Sequence, residues 1–302
     1  MLGRSDLFGQ ESFYFMSSVE MVSRTSGSRI PKEFGMIRAL IYREFLRFFR
    51  QRSRVIGAVV QPLIFWILFG AGLKDTFKPP AGFAAQMSYQ EYFFPGILAL
   101  ILMFTAIFST ISLIEDRKEG FLQGILVSPS SRWGIVLGKI LAGSLLACTQ
   151  VMLFLLVIPI LGLLHFNSPL PHLAGVDAVL EITLLVVLIA FSMTSLGYLI
   201  AWPMESTQGF HAIMSIVLMP MWLLSGAFFP IPSQGGLAWL MWLNPMTYNV
   251  IGLQRLCLPM DDELSQHLPS LGMCLLVTIG FTIVCFIIDV KMTQRTGVKD
   301  SR

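Results

Sequence analysis

The sequence predicts an all-α, polytopic membrane protein of about six spans. An amphipathic interfacial helix precedes them, and a broken or re-entrant helical hairpin lies before the last. Three observations predict this. Of 302 residues, 55% are hydrophobic and 13% charged, with a mean hydropathy of +0.71. A soluble domain carries about 25% charged residues, so too little polar surface remains here to cover a water-soluble globule. The apolar residues also fall in blocks of roughly 20, the length that crosses a hydrocarbon core about 30 Å thick. The basic residues, finally, cluster at a few places between those blocks.

The expected spans are Val55–Leu73, Tyr92–Ile114, Gly134–Leu163, Val179–Ala201, Gly209–Phe229 and Leu271–Asp289. Turn and breaker residues separate them: Pro79-Pro80, Ser128-Pro129, Asn167-Ser168-Pro169, Pro203 and Pro230-Ile231-Pro232. Residues 1–30 are rich in Ser and Arg, and the first long apolar run begins only near Val55. They read as a mobile cytoplasmic tail rather than a cleaved signal.

From about Glu33 to Arg54 the pattern is that of an amphipathic helix. Phe34, Ile37, Ile41, Phe45 and Phe48 recur at spacings of three and four, and Arg43, Arg47, Arg50 and Arg54 recur on the opposite face. Such a helix is expected to lie in the cytoplasmic headgroup layer with its arginines toward anionic lipid.

The stretch Gly235–Pro259 is apolar but resists being a span. Asn244-Pro245 interrupts it, Arg255 lies near its end, and Trp239, Trp242 and Tyr248 flank the break. Proline removes a backbone donor, asparagine adds a polar group, and Trp and Tyr prefer the interface. The basic residues support the same choice. With six spans and both termini cytoplasmic, 18 of the 21 Lys and Arg lie inside, and only Lys74, Lys78 and Arg255 lie outside. The chain then divides into the 1–30 tail, the 31–54 amphipathic helix and a 55–290 transmembrane domain, followed by a 291–302 cytoplasmic tail. The transmembrane domain holds an inside loop at 115–133 and an outer re-entrant segment at 233–260.

Chemistry is sparse. The nearest approach to a P-loop, Gly134 to Ile140, has one residue too few between its glycines and Ile where Ser or Thr should be. The chain is therefore expected to bind no nucleotide or other cofactor. The histidines, His165, His172, His211 and His267, show no paired spacing, and Cys148, Cys257, Cys274 and Cys285 form no CxxC pair, so no metal site is expected. Ionisable residues are almost absent from the spans, with Glu181 and Asp289 near helix ends. Mild polarity remains at Gln61, Ser109, Ser112, Thr149, Gln150, Ser195 and Ser225. It suits a path for a lipophilic or amphipathic solute better than one for a bare ion, and hydrogen bonds between helices are the plainer explanation for any one of these residues.

The most informative segment runs from Glu115 to Pro129: charged at Glu115, Asp116, Arg117 and Glu119, then apolar at Phe121, Leu122, Ile125 and Leu126, then broken by proline. A short helix there would offer an apolar face outside the membrane, either to a soluble partner or to its own bundle.

Glu119-Gly120-Phe121-Leu122-Gln123, then Leu126-Val127-Ser128-Pro129 and Gly138-Lys139, is similar to the EGTLE…LLVSP…GK loop of the ABC-2 type permeases. These are the membrane subunits of a class of bacterial ATP-binding cassette exporters. Phe121 stands where Thr is usual and Gln123 where Glu is usual. Leu224-Ser225-Gly226-Ala227-Phe228-Phe229-Pro230, then Asn244-Pro245, Tyr248 and Arg255, resembles the family's LSGxFFP…NP…Y…R stretch, and Gln61-Pro62 also fits. The resemblance implies a six-helix subunit of a bacterial inner membrane that forms a homodimer or pairs with a second permease. It implies two ATPase subunits that carry ATP and Mg, contact with membrane lipids, and no nucleic acid. The 115–129 loop would be the coupling helix seated on the ATPase, and the amphipathic helix the family's connecting helix. The look is nearest the drug- and antibiotic-export members, while lipid and glycan exporters share the frame. The alternative is a membrane scaffold or a lipid-modifying membrane enzyme without a transport cycle.

Overall fold

The computed structural model describes residues 29–74, 76–79, 82–84, 86–127, 131–163, 176–232, 235–261, 264 and 267–299. Residues 1–28 of the expected 1–30 tail, Ser128-Pro129, Asn167-Ser168-Pro169 and the last three residues lie outside the described residues, while Arg29 and Ile30 already belong to the first helix. The described chain is helical: α1 Arg29–Arg50, α2 Arg52–Gly72, α3 Tyr89–Ser109, α4 Ile111–Lys118, α5 Phe121–Val127, α6 Arg132–Leu163, α7 Val176–Ala201, α8 Thr207–Leu223, α9 Gly236–Leu243, α10 Pro245–Cys257 and α11 Leu271–Lys299.

Among the described residues, five stretches are long and apolar enough to cross a membrane: Val55–Gly72, Tyr89–Lys118, Arg132–Pro159, Asp177–Ala201 and Leu271–Arg295. The remaining expected span, Gly209–Phe229, is covered as far as Leu223 by the 17-residue α8, about 25 Å long at the usual helical rise and at the short end of spanning lengths. The helix starts are chemically marked. Ser88 and Glu91 form a reciprocal capping box on α3, and Ser206 caps α8 by accepting from Gly209 N. Asn244 caps α10, with Pro245 in its first turn.

Helix α3 is the centre of the bundle. Every residue from Tyr92 to Met103 is buried, packed by α2, α6, α7 and α10. The outward faces are apolar, as at Ile64 and Leu68 on α2 and Leu276 and Val284 on α11. A lipid-facing surface requires this pattern, because the backbone polar groups are already satisfied within each helix.

Two expectations need correction. The amphipathic helix does not run unbroken to Arg54: α1 stops at Arg50, and Arg52 opens α2. The charged run Glu115–Lys118 is not loop. It is the end of α4, which continues α3 beyond a single turn residue, Thr110. The reversal comes at Glu119 and Gly120, where Gly120 takes φ 75° with nothing near its Cβ position. Glycine is needed there for its backbone conformation rather than for space.

At the end of the bundle that holds the turn after α8, the aromatics dominate. Tyr92 Oη donates to Gly226 O at 3.2 Å, Gln254 Nε2 donates to the same carbonyl at 3.3 Å, and Trp222 Nε1 donates to Gly96 O at 2.9 Å. Phe69, Phe93 and Phe228 pack edge to face, with centroids 4.9–5.9 Å apart. The break at Asn244 is bonded rather than merely tolerated. Its Nδ2 donates to Met221 O at 2.6 Å and its Oδ1 accepts from Met246 N at 3.0 Å. Tyr248 Oη donates to Trp242 O, and Arg255 donates to Pro269 O and Leu268 O. Pro230 is exposed in the turn between α8 and α9.

Candidate functional site at the charged end

Seven ionisable side chains meet at the opposite end. Arg43, Glu44 and Arg47 come from α1, Glu115 and Asp116 from α4, Glu119 from the turn, and Lys139 from α6. Lys139 Nζ donates to Glu44 Oε1 at 2.5 Å, to Ser112 Oγ at 3.3 Å and to Asp116 Oδ2. Arg43 grips Asp116 with both terminal nitrogens, at 3.0 and 2.5 Å. Arg47 reaches Asp116 at 3.2 Å, Glu115 at 3.1 Å and Glu119 at 3.6 Å.

The depth of these groups decides their weight. The Asp116 side chain is 0% exposed, Lys139 5% and Glu44 6%, whereas Glu119 is 44% exposed. Removing one partner of a buried pair costs about 3–5 kcal/mol, while exposed pairs contribute about 0–1 kcal/mol. The inner three therefore carry the cluster. Burial works against the charge of Arg43. The hydrogen bond and charge of Asp116, with Glu44 and Glu119, outweigh it and hold the guanidinium above its ordinary value.

Packing backs the charges. Met36, Leu40, Ile125 and Ile135 form a small core between α1, α5 and α6, with Phe121 and Leu126 against it. A Cβ on Gly138 would stand 2.9 Å from Leu40 Cδ1, so the Gly134-xxx-Gly138 notch is where α1 rests on α6. Arg43 lies over the Phe121 ring, 3.8 Å from its centroid. Arg117 donates to Trp202 O at 2.6 Å and Met204 O at 3.2 Å, tying α4 to the turn after α7.

This geometry selects between the two readings of α5 and revises the expectation for α1. The apolar face of α5 is not presented outward: Leu122 is 2% and Ile125 6% exposed. What faces outward is polar, namely Lys118, Glu119, Gly120, Gln123 and Gly124. Pro129 lies outside the described residues. Nor do Arg43 and Arg47 point away toward lipid. The bundle side of α1 is the series Met36, Leu40, Glu44 and Phe48, while Phe34, Tyr42, Leu46 and Phe49 are exposed. Ile37, Ile41 and Phe45 are half-buried and Arg50 is exposed. The Arg54 side chain lies outside the described residues.

The mildly polar residues of the spans are not brought together. Ser109, Thr149 and Ser225 donate to carbonyls one turn back in the chain, at 2.5–2.8 Å. Ser112 belongs to the charged cluster, Ser195 donates to Asp289 at 2.7 Å, and Gln61 is exposed. Gln150 is 0% exposed with no partner among the described residues. The sequence reading overlooked Glu44, and it met Lys139 only in a failed P-loop and in the Gly138-Lys139 motif, without giving it a place in the site. Both left a signal: a carboxylate at the i+4 step of a buried apolar series, and a single cation inside a long apolar helix.

The bundle and its charged end define a polytopic helical membrane protein, with a short helix held at one end of the bundle. A family model described as ABC-2 type transporter matches residues 36–257, and the chain belongs to that family. It is 26% identical to a "Putative transport permease ycf38" of Cyanophora paradoxa, over 84% of this chain and 88% of that one. It is 27% identical to the protein of the same name from Porphyra purpurea, over 72% of each. A "Probable multidrug ABC transporter permease YbhR" of Escherichia coli K12 is 26% identical over 54% of this chain and 42% of its own length. The family makes this chain a membrane permease of an ABC transporter, a transport subunit that partners an ABC ATPase.

Proposed function

We propose that this chain is the membrane subunit of an ATP-binding cassette exporter. It moves a lipophilic or amphipathic solute (drug, antibiotic, lipid or lipid-linked glycan) out of the cytoplasm or inner leaflet of a bacterial cytoplasmic membrane. It has six spans with α8 as the fifth, both termini inside, and α1 resting among lipid headgroups. It works as a homodimer or beside a second permease, and ATP and Mg sit on the separate ATPase subunit.

The observation that carries the reading is the segment from Glu115 to Gly124. It is fastened to α1, α6 and the turn after α7, yet leaves a polar tip exposed. A partner seated on a firmly held tip displaces helices instead of being absorbed by a soft loop. A coupling free energy of about 1–3 kcal/mol between nucleotide state and helix packing is enough to shift a two-state equilibrium. The "multidrug" wording attached to YbhR and the scarcity of ionisable residues in the spans favour an amphipathic cargo.

The test is efflux from a strain lacking the gene, screened across drugs and envelope lipids. One solute class should accumulate in the cells, and the wild-type gene should restore its export. Glu119→Arg and Gly120→Pro copies, present in the membrane at normal abundance, should not restore it. Proline fixes φ near −65°, on the wrong side of zero for position 120. Restoration by both variants contradicts the reading.

A further inference from the structure

The geometry points to Asp289, in the seam between α7 and α11, as a binding site for the cationic headgroup of an amphipathic amine. The inference rests on the export reading above and adds to it the charge of the solute.

Three carboxylates are buried among the described residues: Glu44, Asp116 and Asp289. Glu44 and Asp116 both hold Lys139. Asp289 has no ion-pair partner among the described residues. Ser195 Oγ donates to its Oδ2 at 2.7 Å, while its Oδ1 is buried with no partner. The Thr293 hydroxyl does not fill that place. It donates to the Asp289 backbone carbonyl at 2.8 Å and shares a hydrogen bond with Tyr198 Oη at 2.9 Å. Ser192, one turn before Ser195 on α7, is 0% exposed, and its Oγ also has no partner. Contacts from Phe191 to Phe286, Ser195 to Asp289 and Tyr198 to Thr293 lay α7 along α11 here. Each helix thus brings one unpartnered polar side chain to the same stretch of their contact. Lys291 and Arg295 are on the exposed side of α11, and Arg117 is bonded to the Trp202 and Met204 carbonyls.

The chemistry selects the ligand. A charged carboxylate without a partner is costly in a poorly solvated interior. A solute that carries a cation into the seam removes that cost, and an ammonium group offers three N–H donors to the carboxylate and the serine hydroxyl. An anionic headgroup would meet like charge. The position fits entry from the inner leaflet. Asp289 lies toward the end of α11 that carries Lys291 and Arg295, which the proposed topology places inside. The lipid side of α11 is exposed and apolar at Ile283, Val284, Ile287 and Ile288, a surface for the hydrocarbon tail. Asp289 and Ser195 are 0% exposed, so the head enters only when α7 and α11 part, as the two conformations of a transport cycle allow.

The experiment uses the full chain with the ATP-binding subunit that co-purifies with it, in lipid nanodiscs. The probe is a dansylated long-chain alkylamine, and the matching alcohol is the neutral control. Fluorescence titration, corrected with empty nanodiscs, measures saturable binding. The wild type should bind the amine and discriminate against the alcohol. Asp289→Asn, of nearly the same size, should weaken amine binding by at least about thirtyfold, the loss that follows removal of one partner of a buried charge pair. Ser192→Ala should weaken it by about fivefold, and Asp289→Glu should keep the preference for the amine. No saturable amine binding by the wild type, equal binding of amine and alcohol, or unweakened amine binding by Asp289→Asn overturns this inference and leaves the export reading standing. Export of neutral or anionic solutes alone in the efflux screen does the same. A screen in which no solute accumulates sinks the export reading, and this inference with it. Should Asp289→Asn fail to assemble, the wild-type comparison of amine with alcohol and the Asp289→Glu and Ser192→Ala proteins still decide.

Discussion

At one end of the bundle, four carboxylates and three cations join α1, α4 and α6. At the other, hydroxyl, amide and indole groups donate to backbone carbonyls, and aromatic rings fill the space between α2, α3 and the turn after α8. Both ends bind several helices, but their tolerances differ. A neutral hydrogen bond contributes about 1 kcal/mol, and its loss leaves the ring packing in place. A buried ion pair contributes little net stability when whole, yet it is costly to break on one side. The charged end is therefore the brittle one, held in a defined geometry and sensitive to displacement. The aromatic end is the redundant one.

Mutations can break or sharpen this contrast. The largest loss is expected from Asp116→Ala, which removes the buried carboxylate that Lys139, Arg43 and Arg47 share. It should destabilise by about 3–5 kcal/mol, read as a large drop in melting temperature in detergent or a failure to accumulate. At the aromatic end Asn244→Ala removes a cap and should cost about 1–2 kcal/mol in the same melt. Tyr92→Phe deletes only a hydroxyl and should cost about 1 kcal/mol. Glu119→Gln touches a half-exposed pair and should move the melt by about 0–1 kcal/mol, an effect that added salt should erase. An Asn244→Ala protein less stable than Asp116→Ala would reverse the contrast.

Much of this was legible in the sequence. Span positions read from apolar blocks agree with α2, α6 and α7 to within a few residues, because a hydrocarbon slab imposes a length on the chain. Helix α11, in contrast, runs on from the expected end at Asp289 to Lys299, through part of the expected tail. The break at Asn244-Pro245 was legible too, since the pair caps and starts a helix wherever it stands. The face of α1 was not. Two stripes, one of Phe and Ile and one of Arg, suggested lipid against water, and the bundle side turned out to lie between them at Met36, Leu40, Glu44 and Phe48. Periodicity finds an amphipathic helix but cannot choose among its partners when a protein core, a lipid surface and a carboxylate cluster all compete for it. The same ambiguity hid the true outer face of α5. Four apolar residues at helical spacing read equally well as an exposed docking face or as a face packed on its own bundle.

That last point gives the most direct test of the account. Photo-crosslinking residues placed one at a time at Glu119, Gln123, Leu122 and Ile125 report which face of the segment touches the ATP-binding subunit in the assembled complex. The polar tip is exposed and the apolar face is buried on α1 and α6. Crosslinks to the ATPase are therefore expected from Glu119 and Gln123, and crosslinks within the permease from Leu122 and Ile125. Strong ATPase crosslinks from Leu122 and Ile125, with none from Gln123, would contradict it.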